Sequence, residues 1–432
     1  MKRKLTLLTT ISLLLNSCLG LAACGSSAPA FTPEATVVNK DGVDAVVTYV
    51  VDDGYIKTGE FAKKMMQRYE DLTFTFAIKT KDFGTLTETA DHTEYVMDGD
   101  KYVYTQNDTH LSNIAFWRDV MSLGQSEIVS HTHTHAFWGT NDDGGEFEYV
   151  KNNSETIDKG TVPKGSSSKE LFASKQLIEE MFPSSVYERQ NPITIINAGI
   201  GVRTGDYKVG DKTIPTYRKY FYELIEQAMV DGSYIGGRGT FQVTNTADSA
   251  SKVILPDSLK TANSRIAVPA YMIVNANKGE NGIENWTAYI DHAIRKGGWA
   301  CYCIHAMSKP EEASGHYIYE SDAEELFKYS DDKNVWVATF TDAMLYYLEW
   351  STATAKAEFE NGVVKVTLKD KEPDELFNMP LTVKVTVPSA WKGAVCDGET
   401  LEAYTDDNGN KCVYVNIVPG SGPVEITEAA GA

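Results

Sequence analysis

Short apolar runs alternate with helical patterns between residues 44 and 350. Ala45–Val51 is apolar and β-branched almost throughout, which is typical of a strand buried on both faces of a parallel sheet. Similar strands are predicted at residues 73–78, 127–129, 193–199, 234–236, 268–274, 299–304 and 335–338. Helices are predicted at residues 57–71, 114–123, 167–181, 217–230, 289–295, 322–329 and 341–348. This repetition predicts an α/β domain over residues 44–350, either a barrel or a doubly wound sheet.

The pattern changes after residue 350. Apolar and polar residues now alternate with period two, and Gly, Asn and Asp turns separate the runs. These runs lie at residues 355–359, 363–368, 381–387 and 413–415. Residues 351–432 are therefore predicted to form a small all-β domain of the sandwich type.

The N-terminus has the pattern of a targeting segment. Residues 2–4 are basic, and residues 5–15 form an apolar run too short to span a bilayer. Leu21-Ala22-Ala23-Cys24 resembles a bacterial lipobox, which implies a lipoprotein signal peptide over residues 1–23 and lipidation of Cys24. Residues 24–43 are interpreted as a flexible tether. The chain is thus predicted to be extracytoplasmic and held at a bacterial membrane by its lipid alone; secretion with cleavage after residue 23 is the alternative.

The amino-acid composition and the net charge argue against some classes of binding partner. Of the 432 residues, 42% are hydrophobic, which is ample for a core, and the formal net charge is -20. That charge argues against nucleic acid and against an anionic membrane face as partners. The oligomeric state is not indicated by the sequence.

The cysteines give no metal-binding pattern. Cys301 and Cys303 alternate in an apolar run, so they are predicted to be free thiols on one face of a buried strand. Cys396 and Cys412 could pair across strands in an oxidising compartment, and the sequence leaves this open.

Two polar clusters follow predicted strands directly. Asp52-Asp53-Gly54 ends the first strand, and the run His131-Thr132-His133-Thr134-His135 follows the third. Carboxylate and imidazole are the usual ligands of a catalytic divalent metal. Alone, the first cluster fits a common turn and the second fits a solvated or metal-scavenging loop. Their shared position at strand ends favours a metal site.

The two clusters also carry a family resemblance. Residues 48–54 resemble the first motif of the polysaccharide deacetylases (carbohydrate esterase family 4, the NodB-homology domain), and residues 124–135 resemble the second. The similarity in layout covers about residues 44–350. It implies a distorted (β/α) barrel, to which the C-terminal β-domain is an addition.

The resemblance implies specific roles for these residues. Asp53, His131 and His135 would bind a divalent metal, and Asp52 would be the general base. The ligand type favours Zn²⁺, although other divalent transition metals fit it as well. His133 occupies a variable position of the motif and is interpreted as structural.

The last motif of the family is resembled by residues 299–305. It implies that His305 protonates the leaving group and that Ile304 walls the pocket for the acetyl methyl. Arg203 is the candidate for orienting Asp52, but the prolines of the third motif are absent and the tryptophan-containing fourth motif is not found. The remaining histidines are interpreted as surface or insertion residues; they are His92, His110, His292 and His316.

The predicted function is hydrolytic removal of acetyl groups from an extracellular carbohydrate, either a polysaccharide containing N-acetylglucosamine or acetylated xylan. One alternative is a non-catalytic glycan-binding lipoprotein. Another is an amidohydrolase-type metal hydrolase that uses His131 and His133 as a His-x-His pair. That reading expects the pair on the first strand and leaves Asp52 and Asp53 without a role.

Overall fold

The computed structural model describes most of the chain after the N-terminal segment. The described residues are 31–135, 144–150, 157–166, 168–187, 190, 194–196, 207–209, 211–214, 227, 234–312, 316–373 and 377–429. Cys24 and Arg203 lie outside them, so lipidation and the Arg203 role stay predictions. Pro33–Ala432 forms one compact unit. In the described residues, every helix is too short or too polar to cross a lipid bilayer.

A parallel sheet of eight strands forms the centre of the α/β part, as far as the structure describes it. Its strands are β1 (Ala45–Val51), β2 (Phe74–Ile78), β3 (Ser126–Ser130), β4 (Thr194–Ile196), β5 (Tyr234–Gly237), β6 (Tyr271–Met272), β7 (Trp299–Ile304) and β8 (Val335–Ala338). Their order is β5-β4-β3-β2-β1-β7-β6, and β8 pairs with β1. All seven residues of β1 are buried, as expected for a strand covered on both faces.

Helices lie along this sheet. Those with described bounds are α1 (Ile56–Arg68), α2 (Asp108–Met121), α3 (Ser168–Met181), α4 (Ala262–Ile266), α5 (Glu284–Lys296), α6 (Glu320–Asp331) and α7 (Phe340–Thr352). The predicted helix at residues 217–230 lies outside the described residues except for residue 227, and α4 was not predicted. Helix α2 begins before the predicted residue 114 because Asn107 and His110 form a capping box around a polar first turn. His110 is therefore a buried capping residue rather than a surface one.

Aromatic side chains fill the core between sheet and helices. The Tyr49 ring of β1 lies 5.4 Å from the Tyr302 ring and 4.9 Å from the Phe327 ring, measured between centroids. Its hydroxyl donates to Ser330 Oγ at 3.0 Å. The Tyr49 hydroxyl therefore has a hydrogen-bond partner although the Tyr49 ring is buried in the core.

Short strand pairs in the α/β part form separate two-stranded sheets outside the central sheet. The antiparallel pairs are Thr85–Leu86 with Tyr104–Thr105, Met97–Asp98 with Lys101–Tyr102, Gly145–Val150 with Ile157–Val162, and Tyr207–Val209 with Lys212–Ile214. Ala306–Ser308 pairs in parallel with Tyr317–Tyr319.

The C-terminal part consists of two antiparallel sheets. One has the order Thr354–Glu360, Val363–Lys369, Val424–Glu428, Gly393–Cys396, Glu399–Glu402. The other has the order Ala35–Val37, Leu381–Thr386, Lys411–Ile417, Tyr404–Thr405. The predicted all-β region is confirmed. Cys396 and Cys412 are buried free thiols, so no disulfide joins them here.

The second sheet corrects the predicted tether. Ala35–Val37 pairs antiparallel with Leu381–Thr386, so the interpretation of residues 24–43 as a flexible tether is wrong for this stretch. Three residues are too short a run to stand out as a strand in the sequence, and their partner lies far along the chain.

Hydrogen bonds fix the all-β region to α7. The Tyr346 hydroxyl donates to the Val38 carbonyl at 2.6 Å and accepts from the Thr382 N–H at 3.0 Å. Glu349 Oε1 accepts from the Met379 N–H at 2.8 Å. The two regions are therefore joined by buried and partly buried hydrogen bonds.

The combination of a parallel α/β sheet and a separate all-β region is thus confirmed. Beyond the sheet itself, parallel bridges join Arg238 to Val268 and Phe241 to Tyr271. They connect the chain after β5 with the chain that leads into β6. Closure into a barrel stays a prediction.

Candidate metal and acid–base site

Charged side chains gather at the carboxyl ends of adjacent parallel strands. Asp52 and Asp53 follow β1, Lys79 follows β2, His131 follows β3 and His305 follows β7. The register pairs Val51 of β1 with Ile304 of β7 and with Phe76 of β2, and Ile78 of β2 with Ser130 of β3. Residues that follow these strands are brought together, because the carboxyl ends of parallel strands meet at one edge.

Asp52 is held by a buried arginine. Arg238 Nη2 donates to Asp52 Oδ1 at 2.7 Å and to Oδ2 at 2.6 Å, and side-chain exposure is 0% for the arginine and 1% for the aspartate. Burial alone would raise the pKa of Asp52, but attraction to Arg238, His131 and His305 lowers it to about 2. Asp52 is therefore a carboxylate at neutral pH.

Arg238 was not recognised in the sequence. It follows β5, a four-residue strand ending in two glycines, and its position after a strand end is the only local signal. It makes the contact with Asp52 that was predicted for Arg203.

The backbone turns sharply at Asp53. Asp53 has φ 72° and Gly54 has φ 71°, and a Cβ on Gly54 would lie 2.9 Å from the Ile78 side chain. Asp53 Oδ1 lies 3.3 Å from Lys79 Nζ and 3.7 Å from His131 Nε2. Burial opposes ionisation, yet His131 and Lys79 lower the pKa of Asp53 below its ordinary value.

His131 and His135 lie side by side in a strained loop. Their ring centroids are 4.5 Å apart, and Thr132 and His135 have φ 67° and 57°. The loop is held by the His131 N–H, which donates to the Ile78 carbonyl, and the His135 N–H, which donates to Thr132 Oγ1, both at 3.0 Å. Burial and the neighbouring His131 lower the pKa of His135 to about 4, so its ring is neutral and able to bind a metal.

His133 is turned to the other side of the loop. Its Nδ1 lies 3.1 Å from Thr80 Oγ1, and its N–H donates to the Glu170 carbonyl at 3.1 Å. Burial and the charges of Lys169 and Lys81 lower its pKa to about 3. The structure therefore gives His133 hydrogen bonds that brace the loop.

His305 approaches the same oxygen of Asp52 as His131, whose Nε2 lies 4.0 Å from Asp52 Oδ2. The His305 Nε2 lies 3.9 Å from Asp52 Oδ2, and Cys303 Sγ donates to the same oxygen at 3.4 Å. Burial outweighs the attraction of Asp52 and Asp53, so the pKa of His305 lies below its ordinary value. The ring of His316 is 5.4 Å away from that of His305. His316 is exposed, as interpreted from the sequence, but it borders the site, which local sequence did not indicate.

Ile304 contributes its backbone to the site. Its carbonyl accepts from the Asp52 N–H at 2.7 Å. Its side chain has no exposed surface and belongs to the apolar core, so it does not line an open acetyl pocket in this structure.

Two groups of side chains have the composition and spacing to hold a metal ion. One is Asp53, His131 and His135, and the other is Asp52, Cys303 and His305. Within each group the potential ligand atoms all lie within 4.8 Å of one another. These are groups found among the described residues.

Glu127 of the second motif has a structural position beneath the site. Its Oε1 accepts from Thr75 Oγ1 at 2.8 Å and from the Thr341 N–H at 3.0 Å, in the first turn of α7. Burial, with repulsion from Asp342, raises the pKa of Glu127 to about 7. It ties β3 to the start of α7.

Comparisons with known proteins give limited similarity. No protein-family model matches the chain. A gellan lyase of Bacillus sp is 25% identical over 216 residues, which is 46% of this chain; the chain spans only 8% of the length of that protein. The crystal structure of a bacterial fucosidase with a pyrrolidine–triazole inhibitor covers 91% of this chain and 96% of its own, at 11% identity and a TM-score of 0.29. A TM-score this low supports no conclusion about fold.

Proposed function

We propose that this protein is a metal-dependent deacetylase that removes acetyl groups from an extracellular carbohydrate. The substrate would be a polysaccharide containing N-acetylglucosamine or acetylated xylan. The observation that carries the proposal is the buried, arginine-held Asp52, with His131 and His305 both within about 4 Å of its Oδ2 and with Asp53 and His135 beside His131. A carboxylate, a three-ligand set and a histidine acid are what hydrolysis of an acetyl group requires.

The first of the two ligand groups fits a metal better. Asp53, His131 and His135 offer one carboxylate oxygen and two ring nitrogens, the donor set of many catalytic zinc sites. In the second group, Asp52 is already neutralised by Arg238, and burial raises the pKa of Cys303 well above its ordinary value, so the thiol keeps its proton. A cation beside a guanidinium and a neutral thiol is disfavoured. The donor types favour Zn²⁺.

The proposed mechanism divides the work between Asp52 and His305. Asp52 Oδ2 accepts the proton of the attacking water, and Arg238 fixes the direction of this carboxylate. With a pKa of about 2, Asp52 is a weak base. When bound, a divalent metal would polarise the acyl carbonyl and acidify water, which such a base requires. His305 starts neutral because its pKa is lowered; its Nε2, 3.9 Å from Asp52 Oδ2, receives the water's proton from Asp52 and passes it to the leaving amine or alcohol.

Two further observations support the proposed carbohydrate substrate and the proposed barrel. The gellan lyase is named for action on a polysaccharide, and over the part it shares with this chain it supports a carbohydrate substrate and nothing finer. The bridges from Arg238 to Val268 and from Phe241 to Tyr271 support the proposal of a distorted (β/α) barrel. Anchoring through a lipid on Cys24 is part of the same proposal.

The test is acetate release from chitin oligomers, peptidoglycan and acetylated xylan, with and without a chelator. Purified protein should release acetate from one of these substrates, and the chelator should abolish the release. Asp52→Asn should remove activity while elemental analysis still finds the metal, and the exposed Asp257→Asn should match the wild type. Full activity of Asp52→Asn would remove Asp52 as base. Glycan binding without metal or acetate release would favour the non-catalytic alternative.

A further inference from the structure

The all-β region carries a hollow on the solvent face of its five-stranded sheet. Thr354–Glu360 and Val363–Lys369 are antiparallel neighbours, and the side chains of one face of this pair line a cavity of about 530 Å³. The lining includes Lys356, Lys365, Lys369 and Lys371. We call it the lysine hollow. Alternate residues of Val363–Lys369 point into the sandwich core, so the hollow has a rigid floor.

The lysine hollow is rich in positive charge, whereas the region around it is acidic. Residues 351–432 contain seven lysines, no arginine and thirteen acidic residues. Four of the seven lysines line this one hollow, and the acidic side chains in its lining are Glu358 and Asp370. A local excess of positive charge in an acidic region is the electrostatic pattern that attracts anions.

The lysines also lie close to one another on two neighbouring strands. Lys356 lies opposite Thr367, so Lys365 and Lys369 are its two diagonal neighbours on the next strand. Diagonal neighbours are roughly 7–8 Å apart, and Glu358, directly opposite Lys365, offsets part of the charge of that one lysine. Lys365 forms an ion pair with Glu425 at 3.3 Å. In the part of the chain that the structure describes, no carboxylate lies within ion-pair distance of Lys356, Lys369 or Lys371.

We propose that the lysine hollow binds a segment of a carboxylated polysaccharide. The lysine row from residue 365 to residue 369 spans about 13 Å, long enough to meet more than one charge of a polymer. Thr367 lies between Lys365 and Lys369 on its strand, and Thr354 lies opposite Lys369; both offer hydroxyls to those of a sugar. A carboxylated sugar chain would relieve the repulsion among the ammonium groups.

Other polyanions fit the hollow less well. Duplex nucleic acid carries one negative charge per about 1.7 Å, or roughly eight over the length of the lysine row, which is more than four lysines can neutralise. A lipid bilayer is flat on this scale and would not enter a cavity of this size. The proposal goes beyond the proposed deacetylase activity and does not depend on it.

The experiment measures binding of polygalacturonate to the full chain by titration calorimetry, with uncharged pullulan as the comparison polymer. The wild type should bind polygalacturonate and not pullulan, and the affinity should fall as salt is raised because exposed charges are screened. The triple variant Lys356→Gln/Lys369→Gln/Lys371→Gln should lose at least tenfold in affinity. The matched control Lys392→Gln/Lys411→Gln changes lysines of the same region outside the hollow and should bind as the wild type does.

Three further results separate the alternatives. Asp52→Asn should bind polygalacturonate as tightly as the wild type, because the hollow and the acid–base site use different residues. Equal binding of pullulan, or unchanged binding by the triple variant, would overturn the proposal. Binding to phosphatidylglycerol vesicles without binding to polygalacturonate would overturn it in favour of a membrane surface. The substituted lysines are at the protein surface, and an unchanged far-ultraviolet circular dichroism spectrum would verify that the triple variant folds.

Discussion

The charged groups around Asp52 and those of the lysine hollow differ in burial and in partnership. Asp52 and Arg238 are buried, and each is fixed by the other at 2.6–2.7 Å. Lys356, Lys369 and Lys371 are exposed and have solvent around them. A buried charge must be paired, so its protonation state and direction are set before substrate arrives. Exposed lysines remain adjustable, which suits a polymer whose charges vary in position.

This contrast has a consequence for substitutions. Removing one member of the buried site leaves another charge without a partner in a low-dielectric setting, so the effect is large. Removing an exposed charge changes the local potential and little else.

Metal binding should depend on His135 and not on His133. His135→Ala removes one of three proposed ligands, so metal content per chain, measured by elemental analysis after dialysis, should fall close to zero. His133→Gln alters only the hydrogen bond with Thr80 and should keep its metal. Metal retained by His135→Ala and lost by His133→Gln would instead support the His-x-His pair of an amidohydrolase-type site.

Arg238→Met should destabilise the protein by about 3–5 kcal/mol, because it leaves the Asp52 carboxylate buried without its partner. Urea unfolding of the metal-free protein measures this. The double variant Arg238→Met/Asp52→Asn should recover part of the loss, since no unpaired charge remains. A cost for Arg238→Met below about 1 kcal/mol, the range of exposed ion pairs, would contradict the comparison.

The same pair predicts an acid dependence. The pKa of Asp52 is lowered in the folded protein from 3.8 to about 2, so its stabilising contribution is complete above the unfolded value and is lost as pH falls through the folded value. The difference in unfolding free energy between wild type and Asp52→Asn should therefore shrink between pH 4 and pH 2.

The sequence predicted the parts of the site that follow long apolar strands. Asp52 and Asp53 follow the seven-residue strand β1, and His305 follows the six-residue strand β7. Both strands are largely apolar, and they pair in parallel register. The sequence does not predict the role of Arg238, because β5 has only four residues and Asp52, the partner of Arg238, is 186 residues away. Pairing between residues far apart in the chain depends on the fold, and the local hydrophobic periodicity does not predict it.

The same limit explains the N-terminal strand. Ala35–Val37 is too short to show a period of two, and the stretch was interpreted as tether by its position after the lipobox. Its strand partner, Leu381–Thr386, alternates clearly and was predicted. A segment whose structure comes from its partner cannot be recognised from its own residues.

Glu127 should make stability depend on pH in the opposite direction from Asp52. Its pKa rises from 4.5 in the unfolded chain to about 7 in the folded protein, so stability is complete below pH 4.5 and is lost as pH rises toward 7. At about 1.4 kcal/mol per pKa unit, the loss approaches roughly 3 kcal/mol. Glu127→Gln cannot ionise, so unfolding of the metal-free proteins should show wild type losing stability relative to it over this range. The exposed Glu360→Gln should follow the wild type, and a flat difference curve for Glu127→Gln would show that Glu127 ionises normally.

The ion pair between Lys365 and Glu425 should give the smallest effect. Its atoms are 3.3 Å apart, but the two side chains are 44% and 59% exposed. A double-mutant cycle with Lys365→Gln and Glu425→Gln should give a coupling below about 1 kcal/mol that decreases further with added salt. The corresponding cycle for Arg238 and Asp52 should give several times this value and little salt dependence, because water does not reach that pair. Equal coupling energies for the two ion pairs would contradict the comparison. They would mean that burial does not make the Arg238–Asp52 pair stronger than the exposed Lys365–Glu425 pair.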